Sequence, residues 1–254
     1  MKRIVLVAFS LSVVALLRTG AGAQQAPAPA APAVAKTAAP IDLTGYWVSV
    51  VTEDWRWRMI MPRKGDYTSV PLNAEGRKVA DTWDPAQAAS DGCKPYGAAA
   101  IMRVPGRLHV TWDGDNVLKI ETDAGQQTRL LRFDKSQKPA GDRTWQGFSV
   151  AEWETVGGGR GGGAGRGAAG PPRDGSLKVV TTNMRPGYYR KNGVPYSENA
   201  VMTDYFDRHS AYGTDWFTVT TSVEDPTYLT QPFITSTHFK KEADGSKWNP
   251  AACE

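Results

Sequence analysis

The sequence has few of the residues that build metal centres. Its 254 residues include two cysteines and three histidines. The histidines, His109, His209 and His238, are far from one another and from the cysteines. Zinc sites take their ligands from clustered Cys and His side chains, often only a few residues apart. We therefore expect no bound metal ion.

The motifs of several common enzyme classes are also missing. There is no Gly-x-Ser-x-Gly elbow, no His-Glu-x-x-His helix and no P-loop. These motifs place a nucleophile, a pair of zinc ligands or a phosphate cradle in a defined local structure. The sequence therefore does not support an interpretation as a serine hydrolase, a zinc protease or a nucleotide-dependent enzyme. We expect no cofactor.

Only one long apolar run is present, at the start of the chain. Lys2 and Arg3 precede the apolar residues 4–17, and small residues follow as far as Ala23. This is the layout of a cleavable secretory signal, with the cut predicted after Ala23. A membrane anchor is the alternative, but the run is shorter than the roughly 20 residues needed to cross a bilayer. We predict a periplasmic or secreted protein.

The sequence also lacks a strong charge of one sign. Its formal net charge is +4, and removing Lys2, Arg3 and Arg18 with the signal leaves +1. A nearly neutral surface gives no reason to expect nucleic acid or an anionic membrane as a partner. We therefore expect no nucleic-acid binding and no stable membrane insertion.

Two low-complexity segments flank or interrupt the predicted domain. Residues 24–40 are mostly Ala, Pro and Gln, a composition that predicts an extended tether, so a single folded domain should span 41–254. In residues 157–170 nine of the fourteen residues are glycine, with Arg160 and Arg166 among them. Such a tract is similar to RNA-binding segments, but in an exported protein we interpret it as a disordered insertion at a hairpin tip.

The two cysteines, Cys93 and Cys253, are predicted to form a disulfide. An even number of cysteines in an exported chain favours a bridge. Here the bridge would tie the end of the chain to an early loop. Two free or buried thiols are the alternative.

Alternating apolar and polar residues predict an all-β fold. Leu108, Val110 and Trp112 alternate with polar residues, and after a turn Leu118 and Ile120 resume the alternation. Similar short runs predict strands at 128–133, 148–154, 176–182, 201–205, 216–223 and 233–239.

One short helix is predicted, from Ala74 to Thr82, with Asn73 as its N-cap and Pro85 ending the segment. Many short strands and one helix indicate a sandwich or an antiparallel barrel. We predict a barrel or half-open barrel.

The beginning of the predicted domain resembles the calycin or lipocalin-like barrels. Asp42-Leu43-Thr44-Gly45-Tyr46-Trp47 contains the Gly-x-Trp motif of their first strand. The resemblance implies a structural role, in which the glycine permits a tight turn and the tryptophan closes the floor of the barrel.

Most of the chain from about Asp91 onward resembles a large family of uncharacterised exported proteins of acidobacteria and sphingomonads. Three motifs recur in that family in this order: Cys-x-Pro-x-Gly, Gly-x-Ser-x-x-x-Trp-Glu and Glu-Asp-Pro-x-x-x-Thr-x-Pro. They correspond here to segments that begin at Cys93, Gly147 and Glu224. Ala98–Ala100 and the glycine tract depart from the pattern. The resemblance implies no activity.

Aromatic side chains are the most prominent candidates for ligand contact. The chain has nine tryptophans, and we predict that Trp55 and Trp57, which alternate, share a face, and that Trp112 and Trp153 line the barrel with them. Rigid aromatic faces suit apolar, aromatic or sugar-ring ligands. Packing in the core is the alternative for each tryptophan.

A second candidate region runs from Arg185 to Ser197 and includes Tyr188 and Tyr196. Its Pro and Gly residues indicate a loop, and its basic and tyrosine side chains could bind anions or sugars. The segment is either a lid over the mouth of the barrel or an ordinary surface connection.

Four residues are candidates for acid–base chemistry. If its strand face points into the lumen, His109 is the best general base, with Glu154 and Asp225 as further proton-transfer groups and Arg129 as a stabiliser of negative charge. Structural explanations are a solvent-facing histidine and, for Asp225, a turn fixed by Pro226.

These observations favour an exported β-barrel that binds a small, partly apolar, aromatic or glycosidic ligand. The alternative is a cofactor-free isomerase, lyase or hydratase that acts on such a ligand in the lumen. That alternative requires at least two of the ionisable candidates to converge on one cavity. An envelope protein that only binds a partner is the third hypothesis.

Overall fold

The computed structural model describes residues 34–86, 92–155 and 175–253. The predicted signal peptide, most of the predicted tether and the glycine tract lie outside these ranges. Within them, no helix combines the length and the apolar character needed to cross a membrane.

The described chain contains eleven strands, and nine of them close into a barrel. The strands are β1 (Gly45–Val50), β2 (Arg107–Trp112), β3 (Val117–Thr122), β4 (Thr128–Arg132), β5 (Phe148–Thr155), β6 (Gly175–Thr182), β7 (Gly187–Arg190), β8 (Val194–Tyr196), β9 (Val201–Ala211), β10 (Thr214–Glu224) and β11 (Phe233–Lys241). The predicted all-β barrel is confirmed, and it is closed rather than half-open.

Most predicted strand boundaries agree with the structure to within two residues. The main difference is β9, which ends at Ala211 rather than at Tyr205. Its last residues pair with β10, with Ala211 opposite Thr214. The exposed end of this long hairpin does not alternate between apolar and polar residues, so the period-two pattern does not reveal it.

Neighbouring strands of the barrel follow the order of the chain, and β7 and β8 form a separate hairpin. All pairs are antiparallel except β4 and β5, which are parallel. A closed ring with an odd number of strands cannot alternate in direction at every step, so at least one pair must be parallel. The connection 133–147 runs back along the barrel to allow this.

Apolar side chains fill the barrel. Trp47, Phe206, Phe217 and Phe239 are at most 1% exposed. The ring of Phe217 lies 4.7 Å from that of Trp47 and 4.8 Å from that of Phe239. The expected hollow lined by indole rings is therefore replaced, at this level, by a packed core.

The lumen also contains a buried polar group. Arg129 and Asp204 are both fully buried and form an ion pair of 2.8 Å. The other carboxylate oxygen of Asp204 accepts a hydrogen bond from Thr221 at 2.5 Å. Because both charges lack water, each depends on the other for compensation.

One end of the barrel, where β1 ends and β2 begins, is covered by a cap; we call it the capped end and the other the far end. The cap contains α1 (Trp55–Arg58), α2 (Ala74–Asp81), α3 (Ala98–Ile101) and the β7–β8 hairpin. A second apolar cluster joins the cap to the barrel. It includes Val70, Leu72, Ala98, Tyr189, Tyr196, Met202, Val223 and Phe233.

The predicted helix is confirmed as α2. The Asn73 side chain accepts a hydrogen bond from the Gly76 amide at 2.8 Å, as expected of an N-cap. The one-turn helices α1 and α3 were not predicted. All four residues of α3 are buried, so its position depends on packing under the cap and not on a local periodic pattern.

The ends of the described chain are attached to the barrel. Cys93 and Cys253 form the predicted disulfide. Near the other end, the Trp153 indole donates a hydrogen bond to the carbonyl of Ala35 at 2.9 Å, and the Ala35 amide donates to Asn116 at 2.9 Å. Ordered structure therefore begins before Ile41, within the segment predicted to be a tether.

Candidate functional site

A cavity of about 310 Å³ opens in the cap, beside the beginning of β2. Its wall combines apolar side chains with arginines from three separate segments. The residues that line it are Trp57, Arg58, Met59, Ile60, Met61, Pro62, Pro95, Tyr96, Ala100, Arg103, Val104, Pro105, Ala124, Tyr189, Arg190 and Lys191.

Arg58 enters the cavity from the last turn of α1. Its side chain is almost completely buried and forms an ion pair with Glu53. Its Nε donates to the carbonyl of Arg103 at 2.8 Å, which connects α1 to the residues before β2. Burial lowers the pKa of Arg58, because the charged form loses solvation.

Arg103 follows α3 and points towards the same cavity. Its Nη2 forms an ion pair with Asp54 at 2.9 Å, and its guanidinium lies 5.7 Å from the centre of the Phe233 ring. Asp54 is the N-cap of α1 and has a left-handed backbone conformation, with φ of 49°. Aspartate tolerates this conformation better than most residues do.

Arg190, at the end of β7, completes the group. Its Nη2 donates to the Ser69 hydroxyl at 2.8 Å, and its guanidinium lies 4.9 Å from the centre of the Trp57 ring. In the described chain no carboxylate lies within ion-pair distance of it. Burial, and then repulsion from Arg103, lower the pKa of Arg190 to about 10.

Several nitrogen atoms of these arginines have no hydrogen-bond partner in the protein. They are Nη2 of Arg58, Nη1 of Arg103, and Nε and Nη1 of Arg190, and all are buried. The Tyr189 hydroxyl, from the same strand as Arg190, is also buried without a partner. A buried donor without an acceptor is costly, so the group is chemically suited to accept an anion.

One of the two tryptophans predicted near the start of the domain lines this cavity. Trp57 does so, whereas Trp55 is exposed and is not part of the wall. The prediction that they share a strand face is wrong, because both lie in the single turn of α1. In a helix, two residues that are two positions apart point to different sides.

Trp112 and Trp153 lie at the far end of the barrel and do not contact the cavity. They form a cluster with Phe133, whose ring centre is 5.7 Å from that of Trp112 and 5.2 Å from that of Trp153. All three pack against the barrel core. The structure shows packing contacts for these two tryptophans, and their contact with a ligand stays a prediction.

The segment from Arg185 to Ser197 forms the β7–β8 hairpin and is not a simple loop. Tyr196, the last residue of β8, is fully buried within the cap. The guanidinium of Arg185 lies 4.4 Å from the Trp145 ring centre, and the ammonium of Lys94 lies 5.3 Å from that of Tyr188. The segment contributes to the cavity through Tyr189, Arg190 and Lys191.

His109 and Glu154 are on the outside of the barrel. The His109 ring stacks on Tyr46 with 4.2 Å between ring centres, and its Nδ1 lies 3.3 Å from Glu121. Glu154 is exposed near the end of β5. Both side chains alternate with residues that face the core, which explains their position.

Asp225 and Arg129 are buried but separate. The Asp225 carboxylate accepts hydrogen bonds from the amide and the hydroxyl of Ser197, at 2.7 and 2.6 Å, and so fixes the end of the β7–β8 hairpin beside the end of β10. Arg129 is occupied by Asp204 inside the barrel. The four acid–base candidates therefore converge on no common cavity, and the condition for the catalytic alternative is not met.

The arginine group was missed because each member has an ordinary local context. Arg58 and Arg103 follow aromatic or apolar residues in short segments without a clear periodic pattern, and Arg190 appears only as part of a basic, tyrosine-rich stretch. An arginine between apolar neighbours is a weak signal, because it often reaches solvent while its stem is buried. Only the fold brings the three together.

Comparisons of this chain with known protein families, curated sequences and solved structures give no match. The resemblance to an exported family therefore stays a prediction. Among the residues that the structure describes, no group of three or more His, Cys, Asp or Glu side chains is arranged to hold a metal ion.

Proposed function

We propose that the protein binds a small ligand with an anionic group and an apolar part, and that the ligand occupies the cavity in the cap. One observation carries the proposal: Arg58, Arg103 and Arg190 all line this cavity, and each of them has at least one buried nitrogen atom without a partner in the protein. Guanidinium groups recognise carboxylates, sulfonates and phosphates through paired hydrogen bonds.

The charges of the site favour an anion over a neutral ligand. Glu53 pairs with Arg58 and Asp54 pairs with Arg103. Two carboxylates act on Arg190 from beyond ion-pair distance, Asp54 and then Asp66, and Asp66 is likewise already paired, with Arg56. One buried positive charge is thus left without a direct counter-ion. A ligand anion would supply it.

The remaining wall supports an apolar part in the ligand. Met59, Ile60, Pro62 and Tyr96 present carbon atoms to the cavity. The volume of about 310 Å³ lies at the lower end of the range of about 300–1,000 Å³ that is usual for ligand pockets. A single small molecule, with its charged group on the arginines, fits this description.

Isothermal titration calorimetry tests this proposal with three ligands: octyl sulfate, octyl glucoside and inorganic sulfate. The two octyl compounds are used below their micelle-forming concentrations. Octyl sulfate should bind most tightly, because it alone carries both recognised features. Arg190→Gln should weaken its binding by about 10-fold or more, since a hydrogen bond to a charged group is worth about 1.5–3 kcal/mol.

Arg208→Gln is the matched control. Arg208 also has a buried nitrogen without a partner, but it pairs with Asp215 at the far end of the barrel. Its replacement should leave octyl sulfate binding unchanged. Equal affinity for octyl glucoside and octyl sulfate, or equal effects of the two substitutions, would reject the arginine cavity as an anion site.

We further propose that the protein acts outside the cytoplasm, in the periplasm or after secretion. The Cys93–Cys253 disulfide supports this, because disulfides persist in oxidising compartments. The cationic and apolar start of the sequence is a second, independent support. Detection of the mature chain in a periplasmic or culture fraction, with an N-terminus near Gln24, is the expected result.

A further inference from the structure

An unusual concentration of exposed apolar side chains lies beside the cavity. Trp55 is 62% exposed, and Met59, Ile60 and Met61 are each 61% exposed. We call these four residues the apolar rim. The described chain exposes seven large hydrophobic residues. Four of the seven are these rim residues, and all four come from one short segment that includes α1.

Exposed cationic side chains lie next to the apolar rim along the chain. Arg56, Arg63 and Lys64 are exposed. The nearby acidic residues are less exposed and are engaged in ion pairs: Glu53 with Arg58, Asp54 with Arg103, and Asp66 with Arg56. Of these five basic side chains, Arg58 and Arg103 are buried, whereas Arg56, Arg63 and Lys64 reach solvent. The charges that reach solvent beside the rim are therefore mainly positive.

We propose that the apolar rim docks reversibly on an anionic phospholipid surface. Tryptophan and aliphatic side chains bind at the boundary between headgroups and acyl chains, and nearby lysines and arginines add attraction to anionic lipids. The inference stands on the rim and its cations and does not require the cavity to hold a ligand. Docking would place the cavity mouth, which Met59, Ile60 and Met61 also line, against the lipid.

The small net charge of the mature chain does not oppose this docking. Net charge averages over the whole surface, whereas attraction to a membrane falls off within about 10 Å in ordinary salt. Arg56, Arg63 and Lys64 are each within three residues of the apolar rim in the sequence, so the local charge decides the interaction. Surface docking of this kind is also distinct from the stable insertion that the sequence argues against.

A second copy of the chain is a poorer occupant of the rim. In a two-fold symmetric dimer the same patch meets itself, which would bring Arg56, Arg63 and Lys64 of both copies together. Like charges across an interface are unfavourable. An anionic lipid surface satisfies the apolar and the cationic groups at the same time.

Co-sedimentation of the mature full-length protein with vesicles tests the proposal. We expect binding to phosphatidylcholine vesicles that contain phosphatidylglycerol, weaker binding to pure phosphatidylcholine vesicles, and release at high salt. Tryptophan emission should shift to shorter wavelength on binding, because Trp55 would leave water. Binding that is independent of phosphatidylglycerol and of salt would overturn the electrostatic part of the proposal, and no binding would overturn it entirely.

Substitutions in the rim have a matched control elsewhere on the surface. The double variant Ile60→Ser/Met61→Ser should weaken binding to the anionic vesicles by about 10-fold or more, because apolar surface no longer enters the interface. Ile234→Ser should have little effect, since Ile234 is similarly exposed, at 64%, but lies on β11 outside the rim. Equal effects of the two changes would contradict a specific role for the rim.

The cations are tested separately. Arg63→Gln and Lys64→Gln should each weaken vesicle binding about five-fold, the effect of losing about one basic residue near an anionic surface. Lys138→Gln, in the exposed connection after β4, is the control. Neither Arg63 nor Lys64 lines the cavity, so octyl sulfate binding should persist in these variants, which separates failure of docking from failure of the proposed ligand site.

Self-association is the competing outcome. Sedimentation velocity without vesicles should show a single species whose size does not depend on concentration. A concentration-dependent dimer that Ile60→Ser/Met61→Ser abolishes, together with no vesicle binding, would assign the rim to a second copy and overturn the lipid proposal.

Discussion

Replacing Arg190 with methionine should stabilise the unliganded protein. Burial and repulsion from Arg103 lower the pKa of Arg190 from 12.5 to about 10. A pKa difference of one unit corresponds to about 1.4 kcal/mol, so holding the charged form in the folded state costs about 3 kcal/mol. At neutral pH, below both values, this cost is present in full, and it would be released only as the pH rises above about 10.

The substitution also removes favourable contacts. The hydrogen bond from Arg190 to Ser69 and the contact with the Trp57 ring are each worth about 1 kcal/mol. Methionine keeps most of the apolar stem and leaves no charge. The expected net effect of Arg190→Met is therefore a gain of about 1 kcal/mol in the free energy of unfolding.

The same substitution at Arg129 should have the opposite sign. Arg129 and Asp204 are both completely buried, so Arg129→Met would leave the Asp204 charge without its partner. Breaking a buried pair in this way typically costs about 3–5 kcal/mol. Both variants replace a buried arginine with methionine, and the decisive difference is that a buried carboxylate depends on Arg129 but, in the described chain, none pairs with Arg190.

Urea denaturation followed by circular dichroism measures both effects, in a buffer without phosphate or sulfate. Sulfate should then stabilise the wild-type protein more than the Arg190→Met variant, since an anion that binds the folded state raises its stability. If Arg190→Met instead lowers the free energy of unfolding by more than about 1 kcal/mol, as Arg129→Met should, the idea that the cavity holds an uncompensated charge is refuted.

Three further outcomes are expected. Replacing both Cys93 and Cys253 by serine should lower the stability by up to about 5 kcal/mol, because the bridge closes a loop of 160 residues, and reductant should then have no further effect on the melting temperature of the variant. Burial raises the pKa of Tyr67 from 10.0 to about 12. Its contribution to stability should be complete below about pH 10 and should decline towards pH 12, because the unfolded chain loses the phenol proton first. In a pH series of urea titrations, Tyr67→Phe should remove this decline. In Gly97→Ala the new Cβ would lie 1.9 Å from the Tyr196 hydroxyl oxygen; the variant should lose about 1–3 kcal/mol, and adding Tyr196→Phe should restore much of it, whereas no rescue would show that the strain lies elsewhere.

The sequence by itself determined most of the barrel strands, the α2 helix and the disulfide. Along β2 and β3, residues such as Leu108 and Ile120 alternate with polar residues because successive side chains of a strand point to opposite faces. The α2 helix was predictable because its N-cap and its end are encoded within a few residues. An even cysteine count in a chain with a predicted export signal indicated the bridge.

Only the tertiary structure decided which strand face points into the lumen, which points to solvent, and where the cavity forms. Period-two alternation reveals that His109 and Leu108 face opposite ways, but not that the lumen would be filled by Trp47 and three phenylalanines and leave His109 outside. Arg58, Arg103 and Arg190 are far apart in sequence, and each looks like a surface residue in its own segment. Their convergence depends on long-range packing of the cap on the barrel, which no local pattern contains.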